Sequence, residues 1–195
     1  MRLLCAMDVS ELIDELRTTL EKQRARAVEV QRMEAERLLH RPAPDAWNVL
    51  EVFEHLNLSS GVYVRGLEDV FARKAGHYIA NAIFKPGLFG GWFTDGLKPT
   101  PNGRIRWKMR TLKVFDPGRQ RGASIHSIGH FVELCDRFLG LLEQAPQTDL
   151  NRLRVISTLG PLIRFKAGDA MRFPVAHQER HFLQIERLLL PTAST

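Results

Sequence analysis

The sequence has very few cysteines and lacks any long hydrophobic run. Only Cys5 and Cys135 are present in 195 residues, which excludes the disulfide framework of small secreted proteins. No apolar stretch reaches the roughly 18 residues that a membrane-spanning helix needs. The short apolar start is followed at once by acidic residues, unlike a signal peptide. We therefore expect a cytoplasmic protein with no membrane partner, in which Cys135 is a core thiol.

The composition is that of an ordinary globular protein. Hydrophobic residues make up 44% of the chain, which is too much for a disordered protein. The length fits a single domain covering residues 1–195. The net charge of +6 is moderate, and basic residues alternate with acidic ones along the predicted helices, which is typical of a solvated surface. We accordingly expect no nucleic-acid partner.

Four long amphipathic segments predict an all-α protein. The first begins at Asp8, where Glu11 three residues later completes the pattern of a capping box. The second begins at Asn48, and Glu51 stands in the corresponding position. The apolar faces of the four segments predict a four-helix bundle. The predicted helices cover residues 8–40, 48–75, 124–145 and 168–191.

A long irregular loop, residues 76–122, separates the second and third helices. Its prolines and glycines form repeated turn signals, and a loop of this length in a compact domain is usually functional or partly structured. We expect it to cover a site and to select the substrate. Its aromatic residues form either an apolar wall of that site or a small separate core, and both interpretations remain open. These residues are Phe89, Trp92, Phe93 and Trp107.

Two short strands are predicted in the connections between helices. The alternation over residues 104–110 would place four basic side chains along one edge, either as a phosphate- or carboxylate-binding strip or as a solvated face. The solvated face is the favoured interpretation. A second strand is predicted over residues 153–156, before a break at Gly160 and Pro161. The four basic residues of the strip are Arg104, Arg106, Lys108 and Arg110.

The last predicted helix carries His177 and His181, four residues apart and therefore on one face. That face also holds Leu188 and so points to the interior, where unpaired imidazoles are costly. His55 of the second helix faces inward as well. Three neutral imidazoles with an open position form a common catalytic metal site. A divalent metal is therefore one candidate partner, and hydrogen-bonded core histidines are the alternative.

Other polar residues near these histidines have simpler interpretations. The pair His126 and His130 continues toward charged residues, which indicates a solvent-facing position. Glu51 is a candidate fourth ligand or general base, although its capping role explains it without a function. Gln184 is a candidate for orienting a histidine. Arg180 is expected to form a salt bridge or to bind an anionic group of the substrate at the mouth of the site.

Two segments of the chain resemble signatures of the DinB-like superfamily. The first, W-N-V-L-E-V-F-E-H-L at residues 47–56, resembles the start of that superfamily's second helix. The second, H-Q-E-R-H-F-L-Q-I at residues 177–185, is similar to the signature of its last helix. Residues 112–117 are similar to a weaker segment that often precedes the third helix. Asn48 replaces the usual serine, and both residue types cap helices.

The resemblance implies a four-helix bundle with a divalent metal held by His55, His177 and His181. It implies homodimers in several members and no DNA binding. Some branches transfer low-molecular-weight thiols such as bacillithiol or mycothiol, whereas others have no known activity. Imidazole ligands suit zinc, nickel, copper and iron alike, so the sequence leaves the identity of the metal open.

These observations predict a metal-dependent enzyme that acts on a small molecule. The candidate reactions are transfer of a small thiol, a hydrolysis or an isomerisation. No cysteine or serine is paired with a base in any motif, so the expected nucleophile is a water or thiol bound to the metal. The alternative is a non-catalytic, stress-related protein that binds a metal or ligand on the same scaffold.

Overall fold

The computed structural model describes residues 5–100, 102–105, 107, 111–119 and 122–190. Within these ranges the chain forms six α-helices and two small antiparallel sheets. The helices are α1 (Val9–Gln31), α2 (Ala35–Leu39), α3 (Val49–Lys74), α4 (Leu88–Leu97), α5 (His126–Gln144) and α6 (Ala167–Leu189). The strands are β1 (Met7–Asp8), β2 (Ile83–Phe84), β3 (Arg154–Ser157) and β4 (Gly160–Lys166).

The four long helices α1, α3, α5 and α6 pack around one hydrophobic core, as the sequence predicts for a four-helix bundle. Cys135 is buried in this core, in agreement with its predicted position. The fully buried aromatic side chains Phe53, Phe131 and Phe138 come from α3 and α5. Among the described helices, none is both long and apolar enough to cross a membrane.

The starts of α1 and α3 are capped by the side chains that the sequence indicates. Asp8 accepts hydrogen bonds from the backbone N–H groups of Ser10 and Glu11. Asn48 and Glu51 form the complete predicted capping box, with both hydrogen bonds at 2.9 Å. Since capping satisfies N–H groups that have no partner inside the helix, these two bonds fix where α3 begins.

The first predicted helix, residues 8–40, is wrong in its length. It ends at Gln31, and α2 follows after a break at residues 32–34. Neither glycine nor proline marks this break in the sequence. The separate helix α2 packs against α3 and buries Leu38 completely, so tertiary packing decides this boundary.

The connection over residues 76–122 is more regular than predicted, because it contains α4. This helix packs along α6, and the buried carboxylate of Asp169 accepts a 2.7 Å hydrogen bond from the Gly87 N–H just before α4. A methyl group on Gly90 would lie 2.6 Å from the Cβ of Asp169. The glycines that suggest a loop therefore permit close helix packing.

The β3–β4 hairpin confirms the strand predicted at residues 153–156, shifted by one residue at each end. The predicted break at Gly160 and Pro161 is wrong, because β4 begins there. In the predicted basic strip, Arg104 and Trp107 are described and do not lie in a strand. Its other basic residues, Arg106, Lys108 and Arg110, lie outside the described residues.

The close contact between α4 and α6 predicts opposite effects for two Gly→Ala substitutions. Gly90→Ala places a methyl group against Asp169 and is expected to destabilise the protein by about 1–3 kcal/mol. Gly140→Ala in α5 meets no atom within 4 Å, so better helix propensity should stabilise it by roughly 0.5–1 kcal/mol. Urea unfolding of both variants measures the difference. Equal effects would contradict the packing described here.

Candidate metal centre

The structure brings His55, His177 and His181 together at one point between α3 and α6. One ring nitrogen from each lies within 4.8 Å of the other two. The Nε2 atom of His177 is 3.4 Å from Nε2 of His55 and 3.1 Å from Nε2 of His181. His55 and His181 are buried, whereas His177 is partly exposed toward a cavity.

Hydrogen bonds on the far side of two rings fix which nitrogen carries the proton. The Nδ1 atom of His55 is 2.8 Å from the carbonyl oxygen of Phe115, and Nδ1 of His181 is 2.9 Å from Oε1 of Gln184. Both oxygen atoms can only accept, so each Nδ1 carries the hydrogen and donates it. The Nε2 atoms of His55 and His181 therefore present lone pairs to the common point.

This arrangement leaves the three Nε2 atoms with too few N–H donors to form hydrogen bonds with one another. A single proton on Nε2 of His177 can satisfy one neighbouring lone pair and not both. A divalent ion can satisfy all three lone pairs together. Bonds of 2.0–2.1 Å in a tetrahedral site separate ligand nitrogens by about 3.3 Å, close to the observed 3.1 and 3.4 Å. The donor chemistry of the three side chains and these two separations therefore fit a metal ion.

The electrostatic surroundings keep the three imidazoles neutral, which is the form that binds metal. Burial is the main cause that lowers the pKa of each ring, and the positive charge of Arg180 acts in the same direction. The pKa of His181 falls to about 3, and that of His177 falls well below its usual value. For His55, the Phe115 hydrogen bond partly opposes this lowering of the pKa.

Aromatic neighbours limit the movement of the rings. Trp47 contacts His55 with ring centroids 5.0 Å apart. The ring of Phe173, one turn before His177 on α6, stacks against it at a centroid distance of 6.4 Å. Such contacts, together with the hydrogen bonds at Nδ1, hold the inward nitrogen atoms of the rings in place.

A cavity of about 400 Å³ opens onto the three histidines. Its size is that of a small-molecule site. The predicted covering loop contributes Leu97, Thr111, Leu112 and Phe115 to its lining. The remaining lining residues that matter chemically are Trp47, Tyr63, Thr158, Leu159, Phe173, Arg180 and Gln184.

Three of the four aromatic residues singled out in the loop form a small separate cluster, and none of the four lines the cavity. Trp92, Phe93 and Trp107 pack on one another at centroid distances of 4.4–6.2 Å. Phe89 is 68% exposed and Trp92 is 56% exposed. The apolar wall comes from Trp47, Phe115 and other residues that the sequence reasoning did not select, although Phe115 lies in the weak signature at residues 112–117.

The other candidate ligands, Glu51, His126 and His130, are not part of the group formed by the three histidines. Glu51 caps α3 and forms an ion pair with Arg41 at 2.6 Å, so the cap interpretation accounts for its contacts. His126 and His130 are exposed, as predicted. Among the described residues, His55, His177 and His181 are the group whose ligand atoms converge.

Within the described residues, neither the two cysteines nor Tyr63 offers the cavity a nucleophile. Cys5 is exposed and Cys135 is buried, and neither lines the cavity. Burial raises the pKa of the Cys135 thiol to about 12. Burial likewise raises the pKa of Tyr63 to about 12, and its hydroxyl oxygen contacts Thr158 at 3.0 Å. Both groups are therefore protonated at neutral pH.

Comparison with known families agrees with this geometry. A family model described as the DinB superfamily matches residues 19–185, a range that includes all three histidines. No curated protein and no solved structure gives a significant match. Since the match covers most of the sequence, the chain belongs to the DinB superfamily.

Proposed function

We propose that this protein is a metal-dependent enzyme in which His55, His177 and His181 hold one divalent ion. The observation that carries this proposal is the convergence of three Nε2 atoms, two of which must present lone pairs. The proposed reaction is transfer of a small thiol, with a related hydrolysis or isomerisation as the other reactions suited to the same site.

The residues around the cavity have distinct roles in this proposal. The carbonyl of Phe115 and the amide of Gln184 orient two of the ligands through their Nδ1 atoms. His55, His177 and His181 would hold the divalent ion, which would lower the pKa of a water or thiol and so supply a nucleophile at neutral pH. The apolar lining excludes bulk water from the reacting groups, which strengthens electrostatic interactions there.

A thiol used in this reaction comes from a second small molecule and not from the protein. Both cysteines lie outside the cavity lining, and the cavity volume of about 400 Å³ is sufficient for a small ligand. Three imidazole ligands suit zinc, nickel or iron. We propose a divalent ion of this group without preference among its members.

A non-catalytic role in binding a metal or ligand is the second candidate. This candidate is favoured because the described lining of the cavity contains no buried carboxylate. The acidic residue of that lining, Asp45, is exposed. An assay of thiol transfer to a generic electrophile, with and without chelator, separates the candidates. Turnover that chelation abolishes supports the enzyme, and no turnover with any common thiol supports the binding protein.

Substitution of each proposed ligand is expected to remove the metal. His55→Ala, His177→Ala and His181→Ala each delete one of three donors, and affinity should fall at least 100-fold, or about 2.7 kcal/mol. His126→Ala and His130→Ala change exposed residues and serve as matched controls with unaltered metal content. Elemental analysis of protein purified without a histidine tag gives the occupancy. Full occupancy in His55→Ala would refute the proposed ligand set.

The capping role of Glu51 predicts an effect on stability without an effect on metal binding. Glu51→Ala removes the hydrogen bond to the Asn48 N–H and should cost on the order of 1 kcal/mol. Glu51→Gln keeps an acceptor for that N–H and loses only the pair with Arg41, so its cost should be smaller. Chemical denaturation and metal analysis test both variants. Loss of metal from Glu51→Gln would instead make Glu51 part of the site.

The lowered pKa values of the histidines predict a loss of stability in mild acid. Between about 3 for folded His181 and about 6.5 for the unfolded ring, the unfolded state binds more protons. Stability is therefore fully present above about pH 6.5 and falls as the pH decreases through this window. Metal-bound protein should lose stability more steeply, because releasing the ion adds proton uptake.

Thermal unfolding from pH 8 to pH 5, with and without chelator, measures this dependence. His181→Gln should weaken it, and His126→Gln, which replaces an exposed ring, should leave it unchanged. Parallel curves with and without chelator would show that the histidines do not bind a metal ion.

A further inference from the structure

Arg180 lies next to the three histidines and belongs to the same cavity. It stands on α6 between His177 and His181 in the chain, and it lines the cavity together with both of them. An arginine near a cation site is unfavourable unless the site also receives negative charge.

Within the described part of the chain, the contacts of Arg180 leave most of its hydrogen-bonding capacity unused. Its Nη1 donates a 2.7 Å hydrogen bond to the carbonyl oxygen of Trp107. A guanidinium has five N–H donors, and no carboxylate in the described part of the protein pairs with this one. Arg24, Arg26 and Arg137 are each paired with an acidic side chain. Arg180 is thus a half-buried arginine without an acidic partner among the described residues.

The surrounding cavity selects for a ligand that is negatively charged at one end and apolar elsewhere. Trp47, Phe115 and Phe173 provide aromatic surface, and Leu97 and Leu159 add aliphatic surface. The guanidinium of Arg180 is half-buried at the edge of this cavity, and no acidic side chain among the described residues compensates its charge. An anion at this point would restore the compensation.

We propose that Arg180 binds the carboxylate of a small amphipathic substrate, whose apolar part occupies the cavity and whose reactive group faces the histidines. A carboxylate fits better than a phosphate, because one planar guanidinium matches a carboxylate through two parallel hydrogen bonds, and the described lining offers no second cationic side chain. The proposal rests on the proposed function in that the histidines define the reactive end.

Arg180 therefore fixes the orientation of the substrate. With its carboxylate held at the guanidinium, a short ligand can bring its other end to the histidines in one direction only. The hydrogen bond to the Trp107 carbonyl holds the guanidinium at the edge of the cavity before the ligand arrives. A neutral analogue of the same shape would gain the apolar contacts and lose this anchor.

Calorimetric titration with 3-phenylpropionate and its neutral amide, 3-phenylpropionamide, tests the proposal. The wild-type protein should bind the carboxylate at least about 10-fold more tightly, equivalent to about 1.4 kcal/mol. Arg180→Gln should abolish that preference while leaving the affinity for the amide unchanged. Arg187→Gln is the matched control, since Arg187 is exposed on the same helix and contacts Gly103 outside the cavity lining. It should keep the preference.

Titrations of both metal-loaded and chelator-treated protein distinguish carboxylate binding at Arg180 from binding at the proposed metal site. A carboxylate preference that persists after chelation and depends on Arg180 supports the anchor, even if thiol transfer fails. Equal affinities for the two probes in wild type, or no carboxylate binding up to about 10 mM, would overturn it and leave the metal site standing. Arg180→Lys, which keeps the charge, should retain part of the preference. A full preference in a folded Arg180→Gln protein would also overturn the proposal.

Discussion

Three imidazole rings meet at one end of the cavity, and their inward nitrogens cannot satisfy one another. The Phe115 carbonyl and the Gln184 amide oxygen accept hydrogen bonds from the Nδ1–H groups of His55 and His181. The Nε2 atoms of these two rings therefore carry lone pairs on the inner side. Because such groups are costly when they lack partners, a shared electron-pair acceptor would stabilise the three rings together. The packing of α3 against α6 brings them to this common point.

The bundle makes the site rigid from both sides. The capping box of Asn48 and Glu51 sets the start of α3, two turns before His55. On α6, His177 and His181 share a face because they are four residues apart, and the interaction of α4 with Asp169 fixes the beginning of that helix. Ligands placed on packed helices keep their geometry better than ligands on loops. The geometry of the proposed metal site therefore follows from the packing of these helices.

The cavity combines an electron-rich point with a positive edge. The lone pairs of the histidines favour a cation, and the guanidinium of Arg180 favours an anion. Aromatic side chains line the same cavity and give it an apolar surface beside both groups. A small ligand with an anionic end and a reactive end satisfies these preferences together, which links the proposed metal site to a proposed class of substrate.

Local periodicity in the sequence determined the four long helices, the caps of α1 and α3 and the inward faces that carry His55, His177 and His181, because these features depend on residues within one or two turns. Tertiary structure alone decided the break after Gln31, helix α4 and strand β4. Those elements exist through contacts with distant residues, such as α4 with α6. The Phe115 hydrogen bond was also invisible in the sequence, because every residue has a backbone carbonyl and only folding brings this one to His55.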